Sequence, residues 1–236
     1  MSTQQPYSVY PFAPDLTIIE ERGVRMFLIR GESRTMLVDT GFGSGNLPAL
    51  IRTLTDQPIF VVNTHADGDH IGANACFDLV FMHPGEMHRY YEKTSPSLCP
   101  QPLFDGDRID LGSSCWEVIA LPGHTPGSIA LFERSRGLLI GGDTIQFGPI
   151  YMFGSGRCLP AMIASLERLQ SMELPIRRIL PSHFSLELPQ DIIGQIIAAA
   201  QALLDGCLTP EAPERPLPCH RYQHGNISFY YGDRSL

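Results

Sequence analysis

Basic residues are scarce in this 236-residue chain: 17 Lys and Arg stand against 25 Asp and Glu, a formal net charge of −8. The longest basic run is the pair Arg177–Arg178. A nucleic-acid binder carries a basic stripe or patch, so the composition excludes nucleic acid as an expected partner, and an anionic membrane surface with it. No apolar run approaches the ~20 residues that cross a bilayer. The polar, proline-containing residues 1–14 hold no apolar core of a signal peptide. Six cysteines, Cys76, Cys99, Cys115, Cys158, Cys207 and Cys219, form no C-x-x-C pair and no spacing of a disulfide framework. They read as reduced thiols packed as small hydrophobes. These absences point to a cytoplasmic protein that acts on a small-molecule substrate.

What is present is enough for a core. The chain is 43% hydrophobic and 18% charged, and at this size about 70% of the unfolded surface can be buried without a staple. Short apolar runs at 18–19, 24–29, 35–38, 59–62, 79–82, 116–120, 128–133, 138–140 and 179–180 read as strands. Apolar spacing at 47, 50, 51 and 54 predicts a helix over 47–54. Further helices are expected at 72–77, 162–172 and 190–204. Residues 83–106 read as a short helix plus a surface loop, and 148–160 as an irregular loop. Four prolines in 209–218 exclude regular structure there, leaving a tether to a last strand at 227–231. There is no repeat and no break in composition, so 1–236 is expected to be one domain, with 209–236 as a Pro-rich tether plus C-terminal strand. Strand groups interleaved with helices predict an α/β architecture. The Pro-rich arm could be exchanged between subunits, which makes a homodimer one expectation.

The chemistry concentrates in His65-Ala66-Asp67-Gly68-Asp69-His70, placed straight after an apolar strand. Strand ends are rigid points from which variable loops present reactive groups. Four candidate ligands lie within six residues, and imidazole with carboxylate suits Zn²⁺, Fe or Mn²⁺. Taken alone, such a stretch is as readily a polar loop with solvated histidines. Three more segments recur in order, each after a predicted strand: Pro122-Gly123-His124-Thr125-Pro126-Gly127-Ser128, Gly141-Gly142-Asp143-Thr144 and Pro181-Ser182-His183. Four such segments in sequence point to a metal site.

With these segments the chain resembles the metallo-β-lactamase-fold hydrolase superfamily over nearly its whole length. The family pattern is H-x-H-x-D-H followed by a later His, Asp and His, on a four-layer αββα sandwich of two mixed β-sheets flanked by helices. The resemblance implies that His65 and His124 hold a first metal, that Asp69, His70 and His183 hold a second, and that Asp143 bridges them. It implies two Zn²⁺ ions, with Fe or Mn²⁺ as alternatives, and a metal-bound hydroxide as nucleophile. Asp69 would also orient that hydroxide and receive a proton. Asp39, in Leu37-Val38-Asp39-Thr40-Gly41, matches a family position where a carboxylate accepts the free N–H of a ligating histidine; the plainer reading is an Asp that caps the glycine turn.

One position departs from the pattern, giving H-x-D-x-D-H. Asp67 stands where the family has its second histidine. Three outcomes are open: Asp67 binds metal and draws the preference towards Mn²⁺ or Fe, it binds through water, or it faces away and only the second site fills tightly. Other candidates carry less. His83 and His88 read as exposed loop histidines, and His220 and His224 as surface residues beside the tether. Tyr151, Met152 and Phe153, after Asp143, form a candidate substrate cleft, as do Tyr90 and Tyr91. Arg157 reads as a solvated arginine that could meet an anionic group. The apolar face Ile163, Leu166 and Leu169 is core.

The expected activity is metal-dependent hydrolysis of an ester-like bond: thioester, lactone, phosphodiester or amide. A secreted β-lactamase is disfavoured by the missing leader and a glyoxalase-II type by the short, Pro-rich stretch after His183. The family's nucleases are disfavoured by the acidic balance. The alternatives are an iron-dependent oxidoreductase of the same fold, supported by the carboxylate at 67, and a degenerate metal-binding member.

Overall fold

Residues 6–94 and 99–232 are described by a computed structural model. Parts of the expected polar N-terminus, of the 83–106 loop and of the 209–236 tail (residues 1–5, 95–98 and 233–236) lie outside them. The chain forms two compact units, 1–118 and 119–236.

The first unit is built on a seven-stranded sheet in sequence order: β1 (Tyr7–Ala13), β2 (Leu16–Glu21), β3 (Val24–Arg30), β4 (Thr35–Val38), β5 (Ile59–Val62), β6 (Val80–Met82) and β7 (Gln101–Pro102). β1 to β4 meander antiparallel, and β4 to β7 run parallel. The β2–β3 turn has Arg22 and Gly23 at φ 52° and 85°, the two positive values of a type I′ hairpin. β3 and β4 are buried on both faces apart from Arg30, which is why they read as continuous apolar runs. Met26, Leu28, Leu37 and Val61 pack against Leu47 and Ile51 of α1 (Leu47–Arg52), Ile71 of α2 (Gly68–Ile71) and Tyr90 of α3 (Met87–Lys93). β8 (Arg108–Asp110) pairs antiparallel with the start of β9 (Cys115–Ala120).

In the second unit β10 (Ile129–Glu133), β11 (Leu138–Gly142) and β13 (Arg178–Pro181) are neighbours in one sheet, in the order β13-β11-β10. β11 and β13 are parallel. A small sheet joins β12 (Ile150–Met152), β15 (Ile227–Tyr231) and β14 (His220–His224). Two helices cover the core: α4 (Leu159–Ser171) and α5 (Ile192–Leu204). Ile192, Ile196, Ala199, Ala200 and Leu203 of α5 fall on one stripe and join Leu166 and Leu169 of α4, Phe132, Leu139 and Phe229 in one cluster. Among the described residues no helix is long and apolar enough to cross a membrane.

The structure corrects several expectations. The stretch 148–160 contains β12, whose partner β15 is remote in sequence, so no local window shows the pairing. Helix α4 begins at Leu159, with Pro160 in its first turn where a missing N–H costs nothing. The helix expected at 72–77 shrinks to a 3-10 turn, Asn74–Cys76. β1 is an edge strand with a register break around Pro11, and β14 is polar and half-exposed; neither shows a buried-strand pattern. The tether stays irregular apart from a Glu211–Arg221 bridge.

Two loops of the first unit meet backbone to backbone. Thr40 N–H donates to His70 O at 2.9 Å, and Gly72 N–H to Gly41 O at 2.9 Å. Glu21, at the end of β2 and fully buried, accepts from Phe42 N at 2.8 Å and Ser44 N at 2.9 Å, and so fills the glycine loop from behind. There is no room for a side chain at this crossing. A Cβ at Gly72 would lie 2.2 Å from the Phe42 carbonyl carbon, whereas one at Gly68 would meet nothing within 4 Å. Gly72→Ala is therefore expected to cost about 1–3 kcal/mol, and Gly68→Ala to be neutral or to stabilise by up to about 1 kcal/mol. Urea unfolding of the two variants checks this, and equal losses would remove the crossing from the account.

Candidate metal centre

Parallel pairing carries the candidate residues to common sheet edges. Val38 and Val62 are register partners at the ends of β4 and β5, so Asp39 and Thr64-His65 emerge side by side. Gly142 and Pro181 are partners at the ends of β11 and β13, so Asp143 and His183 do the same in the second unit. Strand carboxyl ends are where α/β sheets hold their ligands.

In the first unit Asp39 organises the rest. It is fully buried and sits at φ 62°, a left-handed conformation that Asp and Asn tolerate better than bulkier residues. Its Oδ1 accepts from Thr64 N at 2.8 Å, and its Oδ2 from Thr64 Oγ1 at 2.7 Å. His70 Nδ1 lies 2.7 Å from the same Oδ2. A carboxylate can only accept, so Nδ1 carries a proton, and in the neutral tautomer of His70 the lone pair is at Nε2. Thr64 spends its proton on Asp39, so its oxygen accepts from His65 Nδ1 at 3.0 Å. The same tautomer follows for His65. One carboxylate thus fixes two imidazoles with Nε2 bare, the arrangement that metal-binding histidines need. The two rings are 4.0 Å apart between centroids.

In the second unit His124 Nδ1 lies 3.1 Å from the Tyr151 carbonyl. A carbonyl also only accepts, so Nε2 again holds the lone pair. Arg157 donates to the His124 carbonyl oxygen, so it buttresses the ligand loop and is not the solvated arginine that the sequence suggests. Phe184, straight after His183, sits at φ 60° and is half-exposed, a strained conformation for an aromatic residue of the kind functional sites hold.

Four Nε2–carboxylate approaches result. His65 Nε2 lies 3.5 Å from Asp67 Oδ2 and His70 Nε2 3.9 Å from Asp69 Oδ2. His124 and His183 present Nε2 3.7 and 3.4 Å from the same oxygen, Asp143 Oδ2. These distances exceed a hydrogen bond. Two lone-pair donors each about 2.0–2.2 Å from one tetrahedral cation sit roughly 3.3–3.6 Å apart. The donor set fits divalent cations, and Asp143 Oδ2 is the one carboxylate oxygen approached by two imidazoles among these four contacts.

The remaining candidates fall outside this group. His83 Nδ1 accepts from Gly85 N at 3.1 Å and starts a 3-10 turn, Pro84–Glu86. His88 is exposed beside Glu92, and His220 and His224 are exposed on β14. Tyr90 is core and Tyr91 exposed; the Tyr91 hydroxyl donates to Cys99 Sγ at 3.3 Å, which raises the phenol's pKa. The Tyr151 ring stacks with Phe153 at 5.5 Å, while its backbone serves His124. Sequence reading misses Thr64, the relay to Asp39, although its place beside His65 is a signal. It also misses the face of α3 and its preceding turn: Glu86 accepts from Ala66 N at 2.7 Å, and Arg89 and Lys93 contact Asp67 at 2.5 and 3.1 Å.

A family model described as the metallo-beta-lactamase superfamily matches residues 19–183. An acyl-coenzyme A thioesterase of Gallus gallus is 26% identical over 233 residues, 79% of this chain and 83% of that protein. A hydroxyacylglutathione hydrolase of Aeromonas hydrophila is 34% identical over 169 residues, 67% of this chain and 61% of that protein. A solved metallo-beta-lactamase from Pontibacter korlensis superposes with a TM-score of 0.70 at 18% identity, covering 83% of this chain and 99% of that one. That likeness shows the fold, a mixed α/β fold as the motifs imply.

Replacing Asp39 by Asn keeps the side chain's size and tolerates the left-handed backbone, but it presents an amide where two imidazole orientations depend on a carboxylate. Loss of such a partner typically costs 10–100-fold in metal affinity. Competition against a chromophoric chelator should read that loss in Asp39→Asn, and unchanged affinity would deny Asp39 its organising role.

Proposed function

We propose, for a chain that belongs to the metallo-beta-lactamase superfamily, that it is a hydrolase of thioesters working through two divalent cations. The observation that carries the reading is the set of four Nε2–carboxylate separations of 3.4–3.9 Å, three of them made by His65, His70 and His124, whose Nδ1 faces a hydrogen-bond acceptor. Zinc is the metal that imidazole and carboxylate donors suit; Asp67 adds a hard oxygen that shifts preference towards Fe or Mn²⁺. By the family's ligand order His65, Asp67 and His124 would hold one ion and Asp69, His70 and His183 the other, with Asp143 shared. The family match runs from 19 to 183, which supports reading 1–236 as a single working domain. When bound, such cations polarise an acyl oxygen and acidify a water at neutral pH.

The chain's own residues supply the rest. Asp69 Oδ2, beside His70 Nε2, is placed to take the proton of the attacking water. Asp39 holds His70 in one tautomer while that proton moves. Thioester specificity is supported by the two kinds of relative, named for acyl groups carried on coenzyme A and on glutathione, both thiols. A thiolate is a better leaving group than an alkoxide or amide, so a site without a dedicated acid for the leaving atom suffices. The Tyr151–Phe153 pair offers an apolar surface for a small acylated thiol. All six cysteines are free thiols, which supports a reducing, cytoplasmic setting.

Thiol release from a panel of acyl-coenzyme A and acyl-glutathione thioesters tests the proposal. Turnover should vanish on dialysis against chelator and return with Zn²⁺. Asp69→Asn should lower kcat by about 10²–10⁴-fold, the usual worth of a positioned acid or base. Silence of the metal-loaded protein across the panel would sink the thioester assignment. Iron after aerobic purification, with redox activity in place of hydrolysis, would favour an oxidoreductase.

A further inference from the structure

Asp67 is held by one helix. The 3-10 turn Pro84–Glu86 leads straight into α3, and residues 86, 89 and 93 fall on one face at i, i+3 and i+7. All three reach the ligand loop. Glu86 Oε2 accepts from Ala66 N at 2.7 Å, Lys93 Nζ donates to Ala66 O at 3.0 Å and to Asp67 Oδ1 at 3.1 Å, and Arg89 donates to Asp67 Oδ1 at 2.5 Å. Both cations take the same carboxylate oxygen, and Asp67 Oδ2 is the one 3.5 Å from His65 Nε2. Asp67 is the N-cap of α2 yet makes no side-chain capping bond, so the short helix does not explain its orientation. Arg89 and Asp67 are largely buried, with side chains 14% and 16% exposed, where charge pairing is screened far less than at the surface.

We propose that Arg89 and Lys93 are positioning residues that let an aspartate serve as metal ligand at position 67. The inference rests on the two-metal reading above. An imidazole there would be neutral. A carboxylate brings one more negative charge, two residues from Asp69, and a second oxygen that can swing onto the ion. The two cations answer both problems: they offset the charge, and by occupying Oδ1 they leave Oδ2 as the single coordinating atom. The arrangement suits a carboxylate, which has one oxygen for the guanidinium and ammonium and another for an ion, whereas a neutral imidazole at 67 would have a single acceptor nitrogen for both.

The test is metal stoichiometry and affinity in the full-length protein, by elemental analysis and chelator competition, with the Co²⁺ ligand-field spectrum as a readout that a purely structural role would not move. Arg89→Gln/Lys93→Gln should lose one ion of two, or bind it at least tenfold more weakly, and Arg89→Lys should restore part of that loss. Asp67→His alone should also bind the first ion weakly, and adding Arg89→Gln/Lys93→Gln to it should improve binding. Two ions at unchanged affinity in the double variant, or full binding by Asp67→His alone, would overturn this inference and leave the two-metal reading standing. Should the double variant unfold by circular dichroism, Co²⁺ spectra of the single variants decide: an unaltered spectrum in both overturns it. Wild-type protein that holds one ion would overturn the two-metal reading and this inference with it.

Discussion

A buried carboxylate with nothing to neutralise it would be among the most costly features a fold could carry, and the first unit is arranged around one that is fully satisfied. Asp39 accepts from a backbone N–H, a hydroxyl and an imidazole. Hydrogen bonds to a charged group are each worth about 1.5–3 kcal/mol, and here they also decide which nitrogen of two histidines stays bare. The ring orientations of His65 and His70 are consequences of that carboxylate, and Asp39 in turn is placed by the end of β4 and by the loop that Glu21 fills. The two candidate metal ligands of this unit are oriented by an interaction that belongs to neither ring's Nε2.

The second unit reaches the same end by other means. A main-chain carbonyl, Tyr151 O, does for His124 what Asp39 does for His70, and Arg157 steadies the loop from its other side. A carbonyl partner is neutral, so it fixes the tautomer while lending the imidazole less basicity than a carboxylate does. The candidate ligands His70 and His124 are therefore unequal electronically, before Asp67 adds its own difference.

How much of this was legible in the sequence follows from how local each signal is. The ligand segments were legible because each is a short run of ligand-forming residues at the end of an apolar strand: β5 before His65, β11 before Asp143, β13 before His183. Of the two roles weighed for Asp39, which can coexist, the geometry supplies the hydrogen bond that the first needs. Asp39 accepts from His70, and the glycine turn is filled by Glu21, a residue nineteen places from Thr40 in no pattern that a window could show. β12 and β14 escaped because their apolar partner, β15, lies far along the chain or their own faces are polar. The bracket on Asp67 is a middle case. Glu86, Arg89 and Lys93 have the spacing of one helix face, in a stretch that reads as a short helix plus a surface loop, and only the fold reveals what that face meets.

Glu21 also ties the hairpin to the chemistry. It is the last residue of β2 and pairs with Val24 across the two-residue turn. In a strand, a slip of one residue sends every side chain to the opposite face. A slip in the β2–β3 pairing would therefore withdraw the carboxylate from the loop that supports Asp39 and take from the Phe42 and Ser44 N–H groups their acceptor. An inserted residue at Arg22–Gly23, on the surface and outside every candidate ligand segment, would therefore act on the candidate metal centre.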